Sequence, residues 1–98
     1  MRFEWDELKS SRNLAKHKIS FETASLVFED SHVLVREDRI VEGEERWQAL
    51  GLIGGAVIVL VVHTYRGENG EEVVRIISAR KAAGPERKTY EEAYEKTS

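Results

Sequence analysis

The chain has 98 residues and a mass of 11.2 kDa, enough for one domain with one modest core. Fifteen basic and eighteen acidic side chains leave a net charge of −3, which argues against a polycationic coat for nucleic acid or membrane but permits a local basic site. Without cysteine there are no disulfides, thiolate zinc sites or cysteine nucleophiles; no apolar run nears the ~20 residues that span a bilayer, and the charged N-terminus lacks a signal-peptide core, so the expected setting is the cytoplasm.

Met1–Trp5 alternates, with Met1, Phe3 and Trp5 on one side, and predicts a half-buried strand. Asp6 is suited to cap a helix through ELKSSRNLAKHK, because its carboxylate accepts the free N–H groups of a first turn. That helix is thin in apolar residues, and Lys9, Arg12, Lys16 and, less closely, Asn13 form a basic stripe. Ser20 caps a second, short amphipathic helix carrying Phe21, Ala24, Leu26, Val27 and Phe28. His32–Arg36 predicts a short strand, and the acidic stretch Glu37–Glu45 a connection. A strand over Arg46–Ile53 meets Gly54-Gly55, a hairpin signal because tight primed turns need φ > 0. Ala56–Val62 is a continuous β-branched run and predicts the central strand, followed by a turn over Tyr65–Glu72. In the strand Val73–Lys81, alternation puts Val74, Ile76 and Ser78 on one face and Arg75 and Ile77 on the other. Ala83-Gly84-Pro85 ends it, and Pro85 starts a final helix with an apolar face of Tyr90, Ala93 and Tyr94. The predicted fold is α+β: β-α-α, then an antiparallel β-meander and a C-terminal helix, with the two early helices packed on one face of the sheet. No repeat or linker interrupts residues 1–98.

The charge is segregated. Residues 1–19 hold five basic and three acidic side chains, residues 20–72 four and eleven, residues 73–88 five and one, and residues 89–98 one and three. Such asymmetry hints at an anionic partner, although two solvated faces read the same way.

Three segments, Phe3–Ala24 (FEWDELKSSRNLAKHKISFETA), Gly43–Gly51 (GEERWQALG) and Arg75–Ala93 (RIISARKAAGPERKTYEEA), give the chain a resemblance. In this order and spacing they resemble the BrnT toxin family of bacterial type II toxin–antitoxin systems. The resemblance covers nearly the whole chain and is weakest over the acidic segment 36–42. It implies a single RelE/ParE-like toxin domain and a metal-independent endoribonuclease that slows growth by cutting RNA, without a cofactor. It also implies a ribbon-helix-helix antitoxin as partner, with operator DNA bound only indirectly through that antitoxin, and no membrane.

RNA cleavage without metal needs a group that activates or orients the 2′-OH, cations for the phosphorane charge, and an acid for the leaving oxygen. Arg80 and Lys81, at the end of the last strand, are candidates for the cations; their plain reading is edge-strand charge. Arg75, among Val73, Val74, Ile76 and Ile77, is either a phosphate ligand or the partner of a carboxylate from the acidic middle. Glu86 is a base, an orienter of an arginine, or a helix N-terminal acid favoured by the dipole. His17 reads first as a C-terminal cap of the first helix and is kept as an acid–base candidate because it stands in the family motif. For RNA binding the candidates are Lys9, Arg12, Lys16, Arg46, Arg87 and Tyr90, the last as a stacking ring or a core residue. Trp5 and Trp47 read as core anchors, His63 as structural and His32 as incidental. Three histidines without ligand spacing offer no metal site, and Gly67 and Gly70 lack phosphate-loop context. A non-catalytic binding module that partners a DNA-binding antitoxin is the alternative function.

Overall fold

In the computed structural model, which describes residues 1–97, local chemistry sets the ends of each element. After strand β1 (Arg2–Glu4), Asp6 Oδ1 accepts the N–H groups of Leu8 and Lys9 at 2.9 and 3.2 Å and starts helix α1 (Glu7–His17). The C-cap is Lys18, at φ 64°, whose N–H reaches Leu14 O, so His17 sits one position inside it. Ser20 Oγ accepts from Thr23 N–H at 3.1 Å and starts α2 (Phe21–Ala24). The predicted second helix tightens there into a 3₁₀ segment, Ser25–Glu29. Phe21, Ala24 and Val27 are all buried, and their three-residue spacing suits three residues per turn.

The acidic stretch predicted as a connection is instead paired. Strands β2 (Leu34–Val41) and β3 (Glu44–Ile53) form a hairpin closed at Glu42-Gly43, which have φ of 51° and 82°. The Gly54-Gly55 turn is as expected, with φ of 62° and 67°. Strand β4 (Val57–Glu68) runs past the predicted turn, which shrinks to Asn69-Gly70 before β5 (Glu71–Lys81). Helix α3 (Gly84–Thr97) ends the fold. The strand order is β1-β5-β4-β3-β2. The four later strands are the expected antiparallel meander, but β1 joins β5 in parallel, so the five-stranded sheet is mixed.

A bulge changes one predicted face. The partner of Val62 is Ser78 and that of His63 is Ile76, so Ile77 is an extra residue in β5. Alternation shifts phase there: Ala79, not Ser78, follows Val74 and Ile76 into the core. That core lies on the inner face of the sheet, where Ala49, Val59, Val61, Val74, Ile76 and Ala79 meet Ile19, Phe21, Ala24 and Val27. A Cβ on Gly51 would lie 2.7 Å from Val27 Cγ1 and 2.9 Å from Val27 O, so glycine lets the 3₁₀ segment touch β3. A smaller cluster on the outer face, Leu50, Leu60, Ala82 and Tyr90, seats α3.

Helix α1 docks by polar rather than apolar contacts. Leu8 and Leu14 are 59% and 49% exposed, while Ser10 and Asn13 are buried. Ser10 Oγ accepts from Phe21 N–H at 2.9 Å. Asn13 therefore leaves the predicted basic stripe: its Nδ2 donates to Ile19 O and Ala79 O at 2.7 and 2.8 Å, and its Oδ1 accepts from Ala79 N–H at 3.2 Å. β1 pairs with β5 only as far as Arg75, and the Asn13 amide takes the place of a strand beyond it.

His63 is fully buried, with Phe28 and Tyr65 meeting its ring edge to face at 4.9 and 4.8 Å and with no hydrogen-bond partner for Nε2 among the described residues. Burial holds its pKa below the usual 6.5, and the contact of Nδ1 with Val61 O only partly opposes this. Below pH 6.5 the unfolded chain therefore binds a proton that the folded one resists. Stability is expected to fall as pH drops from 6.5 toward the folded value, by up to about 1.4 kcal/mol per pH unit. Thermal melts between pH 7 and 5 check this: His63→Phe should show a flatter profile than the parent, and parallel profiles would refute it.

Candidate functional site

The outer face of the sheet is covered by α3 at one end only. Across its open part the register sets side chains in rows. Arg36, Gln48, Val62 and Ser78 stand side by side on β2, β3, β4 and β5. The next row toward α3 is Leu34, Leu50, Leu60 and Arg80. On the other side, Thr64, Arg75 and Glu4 are adjacent. An acidic protein thus presents an arginine-rich surface here.

Arg80 and Glu86 form the best-defined pair on this face. Arg80 Nη1 and Nη2 donate to Glu86 Oε1 and Oε2 at 2.8 and 2.9 Å, a two-pronged clamp at the foot of α3. Glu86 Oε1 also accepts the N–H of Ala83 at 2.8 Å, so this carboxylate caps the helix as well. Hydrogen bonding from Arg80 is the main reason the Glu86 carboxyl is held below the usual carboxylate range, with Arg36 adding a smaller Coulombic pull. Glu86 is therefore an ionised orienter of Arg80; a carboxylate so stabilised is a weak base.

Arg75 finds its carboxylate outside the acidic middle. Its Nη1 lies 3.8 Å from Glu4 Oε1, a loose contact, since Glu4 is gripped by Arg66 at 2.7 Å through both oxygens. Arg66 and Arg2 also share Glu68, at 2.5 and 3.0 Å, closing a surface network at the β1 edge. Exposed pairs of this kind contribute about 1 kcal/mol or less each.

The other candidates divide. Lys81 follows Arg80 in β5, so its side chain leaves the sheet on the opposite, inner side, and the two cations do not share a site. Lys9, Arg12, Lys16 and His17 line one shallow depression on α1, with Ile77 and Ser78 at the uncovered edge of β5. They lie together, but across the sheet from Glu86. Arg87 is exposed on α3 beside a groove with Leu52, Ile58 and Tyr94. Tyr90 is 3% exposed, which corrects the stacking role: a ring so buried offers no face to a base. Its hydroxyl donates to Asp30 Oδ2 at 2.5 Å, and Asp30 also accepts the N–H groups of Leu52 and His32. Burial opposes the charge on Asp30, yet these hydrogen bonds hold its pKa below the ordinary value. His32, incidental by sequence, stacks on Tyr94 at 4.2 Å. Arg36, Arg39 and Gln48 are not candidates by sequence: Arg36 and Gln48 lie in separate predicted strands and Arg39 in a segment that reads as a connection, and only the β2–β3 pairing sets them on one ribbon. Among the described residues no group of three histidine or carboxylate side chains is placed to hold a metal ion, and no helix is long and apolar enough to cross a membrane.

Comparison with known proteins covers most of the chain. The family described as "Ribonuclease toxin, BrnT, of type II toxin-antitoxin system" matches residues 5–86. The crystal structure of the Brucella abortus ribonuclease toxin BrnT is similar at a TM-score of 0.61 and 26% identity, over 85% of this chain and 97% of that one. A search of curated proteins gives no match.

Proposed function

The chain belongs to the BrnT family of ribonuclease toxins of type II toxin–antitoxin systems, and from that premise we propose that it is a metal-independent endoribonuclease acting as one RelE/ParE-like domain over residues 1–98. The observation that carries this reading is the open outer face of the sheet. There Arg36, Arg75 and Arg80 stand beside Gln48, Ser78 and the buried Thr64, with Glu4 and Glu86 as the neighbouring carboxylates, while the chain as a whole is acidic. RNA lies along this face. Arg80, oriented by Glu86, stabilises the charge that grows on the phosphorane as a 2′-OH attacks the adjacent phosphorus and the P–O5′ bond breaks, the 2′-OH proton passing to solvent water and the leaving 5′-oxygen taking a proton from it, and Arg75 assists. None of the three histidines stands on the open part of the face, so the reaction draws on orientation and charge more than on an imidazole base. The basic depression of Lys9, Arg12, Lys16 and His17 extends RNA binding around the β5 edge, and Lys81 and Arg87 contribute long-range attraction. The protein neutralising this toxin is a ribbon-helix-helix antitoxin, which carries it to operator DNA; the setting is the cytoplasm. A RelE/ParE relation is supported by two early helices on one face of a mostly antiparallel sheet whose opposite face is largely open.

Purified folded protein is expected to cut RNA equally well with and without EDTA, leaving 2′,3′-cyclic phosphate ends. Its induction is expected to arrest growth unless the antitoxin is co-expressed. Intact RNA after incubation with folded protein would favour the non-catalytic binding module, and loss of cleavage in EDTA would remove metal independence.

A further inference from the structure

Strand β2 carries a second irregularity. Its register against β3 runs Arg36 to Gln48 and Glu37 to Trp47, then skips Asp38 and resumes with Arg39 opposite Arg46. Asp38 is thus the extra residue of a bulge, and the alternation of β2 changes phase. Without the bulge, Asp38 would follow Arg36 onto the outer face. With it, Arg39 does, beside Arg46, which precedes the inward Trp47. Glu37 and Glu45 alternate with Arg36 and Arg46 along their strands, yet both line one small depression with Arg39 and Arg46 at the bulge, without pairing to them.

The resulting arrangement has a cost in the free protein. Two arginines stand opposite each other in the register of a strand pair, a placement that is destabilising for like charges. Arg46 Nε is buried without a hydrogen-bond partner among the described residues. Arg36 is held through Nε by a neutral amide, Gln48 Oε1 at 3.0 Å, which leaves both of its Nη groups available. Arg80 and Arg66, by contrast, are matched to carboxylates. Among the described residues no carboxylate lies within ion-pair distance of Arg36, Arg39 or Arg46. Positive charge of the outer face without an ion pair is therefore on the β2–β3 ribbon, away from the basic block 73–88, with Arg36 exerting only a weak pull on Glu86 from a distance.

We propose that Arg36, Arg39 and Arg46 form a seat for the phosphate backbone of single-stranded RNA; this rests on the ribonuclease reading and supplies its substrate-binding surface. Each guanidinium fork suits a phosphate, and a polyanion offsets the like charges that the register sets opposite each other at Arg39 and Arg46. The seat holds the strand, and the Arg80–Glu86 pair lies one row away, in register with Leu34 of the same ribbon.

The test compares the parent with the triple variant R36Q/R39Q/R46Q, using a 2′-O-methyl RNA oligonucleotide that the enzyme cannot cut. Across a salt titration, three lost contacts are expected to lower the slope of log K against log salt by about 2 and the affinity near 0.1 M salt by about 100-fold. The melting temperature should hold or rise, because a like-charge pair is gone. Should the triple variant fail to fold, R39Q alone, at an exposed position, is expected to lower the slope by about 0.7. If the parent cuts RNA while the variants bind with unchanged slope, the seat is overturned and the ribonuclease reading stands. If the parent neither cuts nor binds RNA, that reading falls, and inorganic polyphosphate becomes the probe. Thermal stabilisation of the parent but not of the triple variant then supports the seat, and equal stabilisation or none overturns it.

Discussion

Replacing Asn13 with Ala is expected to lower the unfolding free energy by about 3 kcal/mol, which for a domain of this size moves the melting temperature down by roughly 15 °C. One side chain serves three main-chain groups, the carbonyls of Ile19 and Ala79 and the N–H of Ala79. All lie in a buried setting, and each group left unpaired costs about 1–3 kcal/mol unless water reaches it. The loss is concentrated because α1 has little else holding it: Leu8 and Leu14 face outward, and Ser10 offers one further bond. Chemical denaturation with a probe of helix content checks the value. Asn13→Asp tests the geometry, since it keeps an acceptor for Ala79 N–H and loses both donated bonds. A loss under 1 kcal/mol for the alanine variant would mean that apolar contacts, not the amide, dock the helix.

The second large effect is functional. Arg80→Ala is expected to lower kcat/KM for RNA cleavage by about 100-fold or more, the usual scale for removing one group that stabilises a developing oxyanion. Its fold should survive, because the Arg80 side chain is 42% exposed and Glu86 keeps its bond to Ala83. Glu86→Gln separates positioning from charge. It retains an acceptor for Ala83 N–H but weakens the hold on Arg80, so a loss of about ten-fold is expected, with kcat affected more than KM. Full activity in Arg80→Ala would move the reaction to the other side of the sheet, where Lys9, Arg12, Lys16 and His17 share a depression; His17→Ala would then be the variant that loses cleavage.

These two residues mark what was readable in advance. Arg80 and Glu86 stand in the motif that carries the family resemblance, and their strand and helix were both predicted. Asn13 was read as the margin of a basic stripe, because helical spacing alone does not tell which neighbour a side chain meets. Its real partner, Ala79, is 66 residues away in the chain.

Local patterns determined most of the elements. Asp6 and Ser20 cap helices through their own side chains, Gly54-Gly55 permits positive φ, and the apolar run 57–62 becomes a central strand wherever a core forms. The same patterns placed a basic cluster at residues 73–88. Only the tertiary structure decided which charges share a surface. Alternation is a two-residue rule that holds while pairing is regular, and the extra residues Asp38 and Ile77 reset its phase. Bulges belong to a strand pair, so neither strand's own sequence reveals them. One of them brings Ala79 to Asn13 and the core; the other sets Arg39 opposite Arg46 in a segment whose composition reads as acid. The sum of charges is a property of the chain, but the arginine face exists because five strands pair in one particular register.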